Sequence, residues 1–357
     1  MSFTASMFIF SSPANLVIGH ITVQQVIYFE PGTLYTRYIL HGVVGFFLMG
    51  LGTTGNVLSI VVLATQSSNS VNFLLVCLAV ADTFFLVNGI LLYTLGTINR
   101  YNGLFREYRE VMPYAIPFIN GMAFLSHSLT VWLVVVITID RYIAVCYPLK
   151  SVNICTRGRA RRVIAILVIS LTLFSLPRFF EKTAGYVYDA ELDNEHAMLT
   201  VVYREFHQYP VYIYLYETVL YGGCQFLFPL LLLISLNVRL LWGLNQARIN
   251  RNMMLSSSKK QQKDDNVSTM IVVVISVFII CQFPNFLSYA LRLLEVFDSS
   301  NAIVVNPQGS SLLNPITETL LRINSSVNFL IYMLVGKEFR KVLFRIFGCS
   351  KRINKTK

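Results

Sequence analysis

Charge is what this sequence has least of. Only 13% of its 357 residues are Asp, Glu, Lys or Arg, where a soluble domain carries roughly 25%. There are two tryptophans. The six cysteines are Cys77, Cys146, Cys155, Cys224, Cys281 and Cys349. None falls in a segment read as extracellular, and none forms a C-x-x-C pair or a Cys/His set, which excludes a disulfide framework and a zinc site. No internal repeat, Ser/His/Asp set, paired catalytic carboxylates, metal motif or Gly-rich phosphate loop is present, so nothing points to an enzyme. The N-terminal stretch is uncharged as far as Glu30 apart from His20. It offers no basic n-region and no clear cleavage site, so a cleaved signal peptide is not the favoured reading.

What is abundant is apolar sequence, 55% of the chain. Five runs are long enough to cross a bilayer, which takes about 20 residues of helix: Tyr38–Thr65, Val71–Ile98, Val111–Ile139, Thr218–Val238 and Asn266–Leu291. Backbone in lipid must satisfy its own hydrogen bonds, so each is predicted as a helix. Val163–Pro177 is shorter, but Arg161, Arg162 and Arg178 flank it, and such side chains snorkel to the interfaces. The last run, Ser311–Val335, is broken by Glu318 and Arg322, spaced i,i+4 in the order that favours pairing. The expectation is an all-α membrane protein with seven spans. Residues 1–37 form an outer N-terminal segment, 38–335 the bundle and 336–357 an inner amphipathic helix and tail.

The net charge is +11, but it is not a nucleic-acid signal. Residues 141–162, 239–265 and 336–357 together hold 20 of the 29 Lys and Arg. Thirteen of the 18 acids belong to the opposite side and the helix mouths. The positive-inside rule then puts the N-terminus outside and the C-terminus in the cytoplasm, at the plasma membrane. After the last span, Phe339, Val342, Leu343, Ile346 and Phe347 share one face and Lys337, Arg340, Lys341 and Arg345 the other, a helix that lies on the inner leaflet. Cys349 just beyond it reads as a palmitoylation site, or else as a free thiol in a basic stop-transfer tail.

Intramembrane charge is confined to Asp82, Glu318 and Arg322, too little for a transporter or channel. The third run ends in Ile139-Asp140-Arg141-Tyr142-Ile143-Ala144-Val145-Cys146-Tyr147-Pro148-Leu149. Gly55-Asn56, Leu78-Ala79-Val80-Ala81-Asp82, Pro229, Phe278-x-x-Cys281-x-x-Pro284 and Asn328-x-x-x-Tyr332 stand in order around it. This set resembles the rhodopsin-like G-protein-coupled receptors over roughly residues 38–348. A narrower resemblance is to the FMRFamide-type neuropeptide receptors of invertebrates. It is carried by the stretch from Tyr147 to Arg161, by Leu176-Pro177-Arg178-Phe179-Phe180-Glu181, by Phe228-Pro229-Leu230 with Leu236-Asn237, and by Ser326 to Tyr332.

The resemblance implies an amidated peptide ligand ending in Arg-Phe-amide and a heterotrimeric G protein as partner. The alternative is a chemosensory or orphan member for a small molecule. Family register and helical spacing point Tyr93, Asn120, Ala123, Phe124, His127, Glu217, Gln282, Asn285, Phe286, Tyr289, Glu318 and Arg322 inward at the outer half, where aromatics suit a Phe and carboxylates an Arg. Bundle core is the other reading of each, and for His127 the more usual one. Residues 178–216 carry six acids against three bases, a mouth that would steer a cationic peptide, or a solvated loop.

Asp140, Arg141, Tyr142, Asp264, Asn328 and Tyr332 match the inner switch, with Arg141 paired to Asp140 and Asp264 at rest. Asn56, Thr130, Asn324, Ser325 and Asn328 match a cluster that holds an allosteric sodium ion on Asp82. The alternative there is a protonated Asp82 in a packing network. No other cofactor is expected. The pattern also departs from the family. Gln282 and Leu167 stand where Trp is usual, and Phe329 where Pro is. Ile116 replaces the Cys of the usual loop disulfide, which leaves the ordering of the second outer loop without an explanation.

Overall fold

The computed structural model describes residues 16–18, 21–23, 35–66, 69–102, 106–188, 197–209, 211–253, 259–298 and 313–348. Among the described residues, six helices are each long and apolar enough to cross a membrane. The first four spans are Tyr35–Ala64, Ser70–Asn99, Arg106–Cys146 and Arg157–Phe180. The fifth is Tyr212–Ala247 and the sixth lies within Lys259–Asp298. The seventh, Leu313–Val335, turns by 95° at Gly336 into a surface helix, Lys337–Ile346. That turn needs glycine, because a Cβ at 336 would lie 2.6 Å from the Tyr332 carbonyl.

Burial runs inside out relative to a water-soluble bundle. Phe47, Leu51, Ile166, Leu173 and Trp242 are exposed, while Asn56, Asp82, Thr130, Ser325 and Asn328 are buried. Exposed apolar surface on this scale is destined for lipid. The apolar core sits in the inner half, where Leu74, Leu78, Val134, Leu240, Ile275 and Tyr332 meet. The fourth span is peripheral, burying Ala160, Leu171 and Ser175 of its 24 residues, and Thr156 caps its start by accepting from the Arg159 amide at 3.4 Å.

The third and fourth spans approach closely at Gly121, where a Cβ would lie 2.5 Å from the Phe179 ring. The seventh helix runs unbroken through Phe329. That side chain packs on Gly55 of the first span, its Cβ 2.9 Å and its ring 3.2 Å from where a glycine Cβ would stand. With Phe in place of the usual Pro, every amide can stay in the helix ladder.

Among the described residues, three segments are π-helical: Tyr38–Val44, Ile90–Thr94 and Tyr212–Leu227. Such widened turns concentrate at functional sites, and these three lie toward the outer ends of the first, second and fifth spans. The second outer loop is ordered by backbone. Lys182–Tyr188 and Ala197–Tyr203 pair antiparallel, from Lys182 opposite Tyr203 to Tyr188 opposite Ala197. The Arg204 amide closes the base on the Glu181 carbonyl at 2.9 Å, and both strands pack on the third span. Among the described residues Cys77, Cys146, Cys155, Cys224 and Cys281 are free thiols. Cys349 lies outside the described residues, and so does its lipidation.

Candidate ligand site and inner switch

At the end of the fourth span, Arg178 does not snorkel as its position in the sequence suggests. Its side chain is 11% exposed, and Nη1 donates to Glu181 Oε2 and to Glu217 Oε1, each at 2.8 Å. The guanidinium lies over three rings, with centroids at 5.1 Å for Phe124, 5.4 Å for Tyr216 and 5.0 Å for Tyr221. Cation–π contacts of this kind are stronger away from water. His207 Nε2 approaches Glu181 Oε1 at 3.3 Å and Glu217 Oε1 at 3.7 Å. Burial would raise the Glu181 carboxyl, but the bond from His207 and the charges of Arg178 and Lys182 outweigh it and hold that group at about 2.

Glu181, His207 and Glu217 present ligand atoms within 4.8 Å of one another, a spacing that suits a metal ion. Arg178 already supplies the positive charge at that point. Of the other loop acids, Glu205 is exposed, and Asp189, Glu191, Asp193 and Glu195 lie outside the described residues.

A second cluster joins the seventh span to the first two. Arg322 is buried, stacks over Tyr93 at 4.0 Å and meets His41 Nδ1 at 2.9 Å. Its pairing with Glu318 is longer, 3.6 Å, and His41 Nε2 reaches the same carboxylate oxygen at 3.3 Å. The inward-pointing residues are therefore split. Phe124, Glu217 and Tyr289 gather near Arg178, and Tyr93, Glu318 and Arg322 gather near His41. Asn120, Ala123, Asn285 and Phe286 are half-buried on the third and sixth spans.

Below them, His127 bridges three spans. Its Nδ1 is 3.2 Å from the Gln225 amide nitrogen and its Nε2 is 3.1 Å from that of Gln282. A neutral imidazole offers one donor and one acceptor, so one amide must turn its oxygen inward. Gln225 Oε1 and Gln282 Oε1 are both buried and otherwise unpaired among the described residues, which makes that turn favourable.

Asp82 is fully buried and accepts from Thr130 Oγ1 at 2.9 Å and from Asn328 Nδ2 at 2.7 Å. Asn56 donates to the Ser325 carbonyl at 2.9 Å, and Asn324 and Ser325 are buried on the same helix as Asn328. At the inner end of the third span, Arg141 Nη2 donates to Asp140 Oδ2 at 2.6 Å. Ser70 of the second span donates to the other Asp140 oxygen at 3.1 Å. Tyr142 stacks edge-on with Tyr147 at 5.9 Å. Tyr332 is buried against Phe339, and its hydroxyl has no hydrogen-bond partner among the described residues. Asp264 stands on the sixth helix, but its side chain, and with it the Arg141–Asp264 pair, lies outside the described residues.

The family model for a 7 transmembrane receptor (rhodopsin family) matches residues 55–332. The chain belongs to this family. The receptor is a multi-pass membrane protein and not an enzyme. It is 29% identical to an FMRFamide receptor of Drosophila melanogaster over 300 residues, which are 83% of the receptor and 52% of that relative. The chain thus spans about half the length of that protein. An FMRFamide peptide receptor of Caenorhabditis elegans is 28% identical over 85% of the receptor and 68% of the relative. The sex peptide receptor of Drosophila melanogaster is 26% identical over 84% and 71%.

Within the receptor, the His127–Gln282 contact occupies the level at which the family usually carries Trp. Sequence reasoning missed Arg178, His207, Tyr216, Tyr221, Gln225 and His41. Only the i,i+3 spacing of Arg178 and Glu181 could have flagged the first of these. The rest meet through contacts between spans or, for His207, between the turn Glu205–Gln208 and the span ends.

Proposed function

We propose that this receptor binds a short amidated peptide of the FMRFamide type at its outer mouth and passes the signal to a heterotrimeric G protein at its inner face. The observation that carries the reading is the set of two glutamates and three aromatic rings assembled around a guanidinium at the outer end of the bundle. That chemistry suits a ligand with adjacent Arg and Phe side chains. The names of the relatives above support the same ligand class. Agonist binding shifts the bundle toward the coupling state through its higher affinity for that state, and the basic inner loops are consistent with an outer N-terminus and a cytoplasmic C-terminus at the plasma membrane.

A panel of amidated peptides applied to cells expressing the receptor tests this. Peptides ending in Arg-Phe-amide should evoke a G-protein response, and their free-acid forms a weaker one. Silence to the panel alongside a response to a small molecule would overturn it. Tags on residues 1 and 357 test the topology. The first should label on intact cells, and the second only after permeabilisation.

A further inference from the structure

The cage at the end of the fourth span already contains a guanidinium, and it belongs to the chain itself. One nitrogen of Arg178 is shared between Glu181 and Glu217 at 2.8 Å each, while the Nε of Arg178 is buried with no hydrogen-bond partner among the described residues. The fork therefore does not use its full donor set, which limits what the tie is worth. The two carboxylates differ in reach. Glu181 is 3% exposed and Glu217 28%. Glu217, the more exposed of the two carboxylates, is the one a cation from solution can reach while Arg178 is in place.

We propose that Glu217 is the acceptor for the agonist's arginine and that the agonist takes it by exchange, leaving Arg178 on Glu181 and the aromatic rings. This rests on the peptide reading above. The exchange replaces one guanidinium–carboxylate bond by another, so neither carboxylate is left without a cationic partner. It also cuts the tie between the fourth span and the π-helical start of the fifth, which carries Glu217. Tyr289 of the sixth span holds the backbone of the same turn, through the carbonyls of Glu217 and Thr218. The outer event thus reaches the sixth span through one widened turn. A divalent cation would compete for the same carboxylates, since Glu181, His207 and Glu217 cluster within 4.8 Å.

The test compares an Arg-Phe-amide peptide with its citrulline analogue, a neutral isostere, in binding assays. Wild type should prefer arginine. Arg178→Gln, which removes the internal competitor, should raise affinity for the arginine peptide by on the order of ten-fold and leave the citrulline peptide unchanged. Glu217→Gln should erase the preference. Equal weakening of both peptides in Arg178→Gln, or a preference that survives Glu217→Gln, would overturn the exchange. Arg178→Lys keeps the charge without the fork, and should lie between wild type and Arg178→Gln if the glutamine variant folds poorly. A peptide-free arm uses methylguanidinium and the melting of purified receptor. The additive should raise the melting temperature of Arg178→Ala saturably, and not that of Arg178→Ala/Glu217→Gln. No shift there rejects the site itself. If no amidated peptide binds wild type, the peptide reading fails while this arm still decides on the guanidinium site.

Discussion

The Tyr289 hydroxyl of the sixth span faces the backbone carbonyls of Glu217, at 3.1 Å, and Thr218 on the fifth. A carbonyl oxygen has two lone pairs, so both can accept from the Tyr289 hydroxyl while serving the i→i+5 ladder of the π-helical stretch Tyr212–Leu227. Gly222 makes room, since a Cβ there would overlap the Tyr289 ring. Tyr289→Phe should remove a bond of about 1 kcal/mol, roughly five-fold in the resting equilibrium. Basal signalling should rise accordingly. Gly222→Ala should lower surface expression, and Tyr289→Ala should restore it in part. Additive losses in the double variant would count against the contact.

The His127 bridge should behave as a coupled unit. Gln282→Leu leaves a ring nitrogen buried and unpaired, at a cost of about 1–3 kcal/mol. Removing both partners with His127→Leu/Gln282→Leu should cost less than the sum of the single losses. Thermal inactivation of the detergent-solubilised receptor measures the cycle. Strict additivity would mean that the two side chains do not share a bond.

At the inner end, Asp140 holds Arg141 at 2.6 Å and is itself held by Ser70. Asp140→Asn weakens that pair and should raise basal signalling a few-fold. Asp264→Asn should raise it about 1.4- to 5-fold, the range for a near-surface ion pair of about 0.2–1 kcal/mol. Arg141→Ala should abolish coupling while agonist binding stays within two-fold, on the order of measurement error. A radioligand assay beside a basal G-protein assay separates these outcomes. An unchanged basal level in Asp264→Asn would make that residue a solvated charge with no part in the switch.

We propose that Asp82, with Thr130, Asn324, Ser325 and Asn328, holds a sodium ion. Thr130 Oγ1 and Asn328 Nδ2 already converge on the Asp82 carboxylate. The carboxylate and the Thr130 hydroxyl offer the oxygen ligands that a hard cation takes, and Asn328 would turn its Oδ1 toward the ion. Replacing sodium by choline should change agonist affinity in wild type and leave Asp82→Asn unaffected. Equal sensitivity in both would favour the packing network instead.

The sequence by itself determined the seven spans, because a bilayer demands helices of fixed length and the hydropathy runs match that length. For the seventh span it offered only the i,i+4 order of Glu318 and Arg322, a local property of one helix that favours pairing. It also determined the break after Val335, where an apolar span gives way to an amphipathic pattern that cannot continue through lipid. What it did not determine were the partners between spans. Arg178 reads locally as a residue at the membrane surface, yet Glu217 lies 39 residues away and reaches it only because the fourth and fifth spans meet at the mouth. His41 reads as an isolated base in an apolar run, until the fold sets Arg322 beside it at 2.9 Å. The second outer loop lacks the expected disulfide cysteines, and backbone pairing from Lys182 to Tyr203 supplies the order instead. Helix periodicity tells which face of a span is polar. Which neighbour that face meets is decided by helix packing, through close approaches such as Gly121 on Phe179 and Gly55 on Phe329, and these belong to the tertiary structure alone.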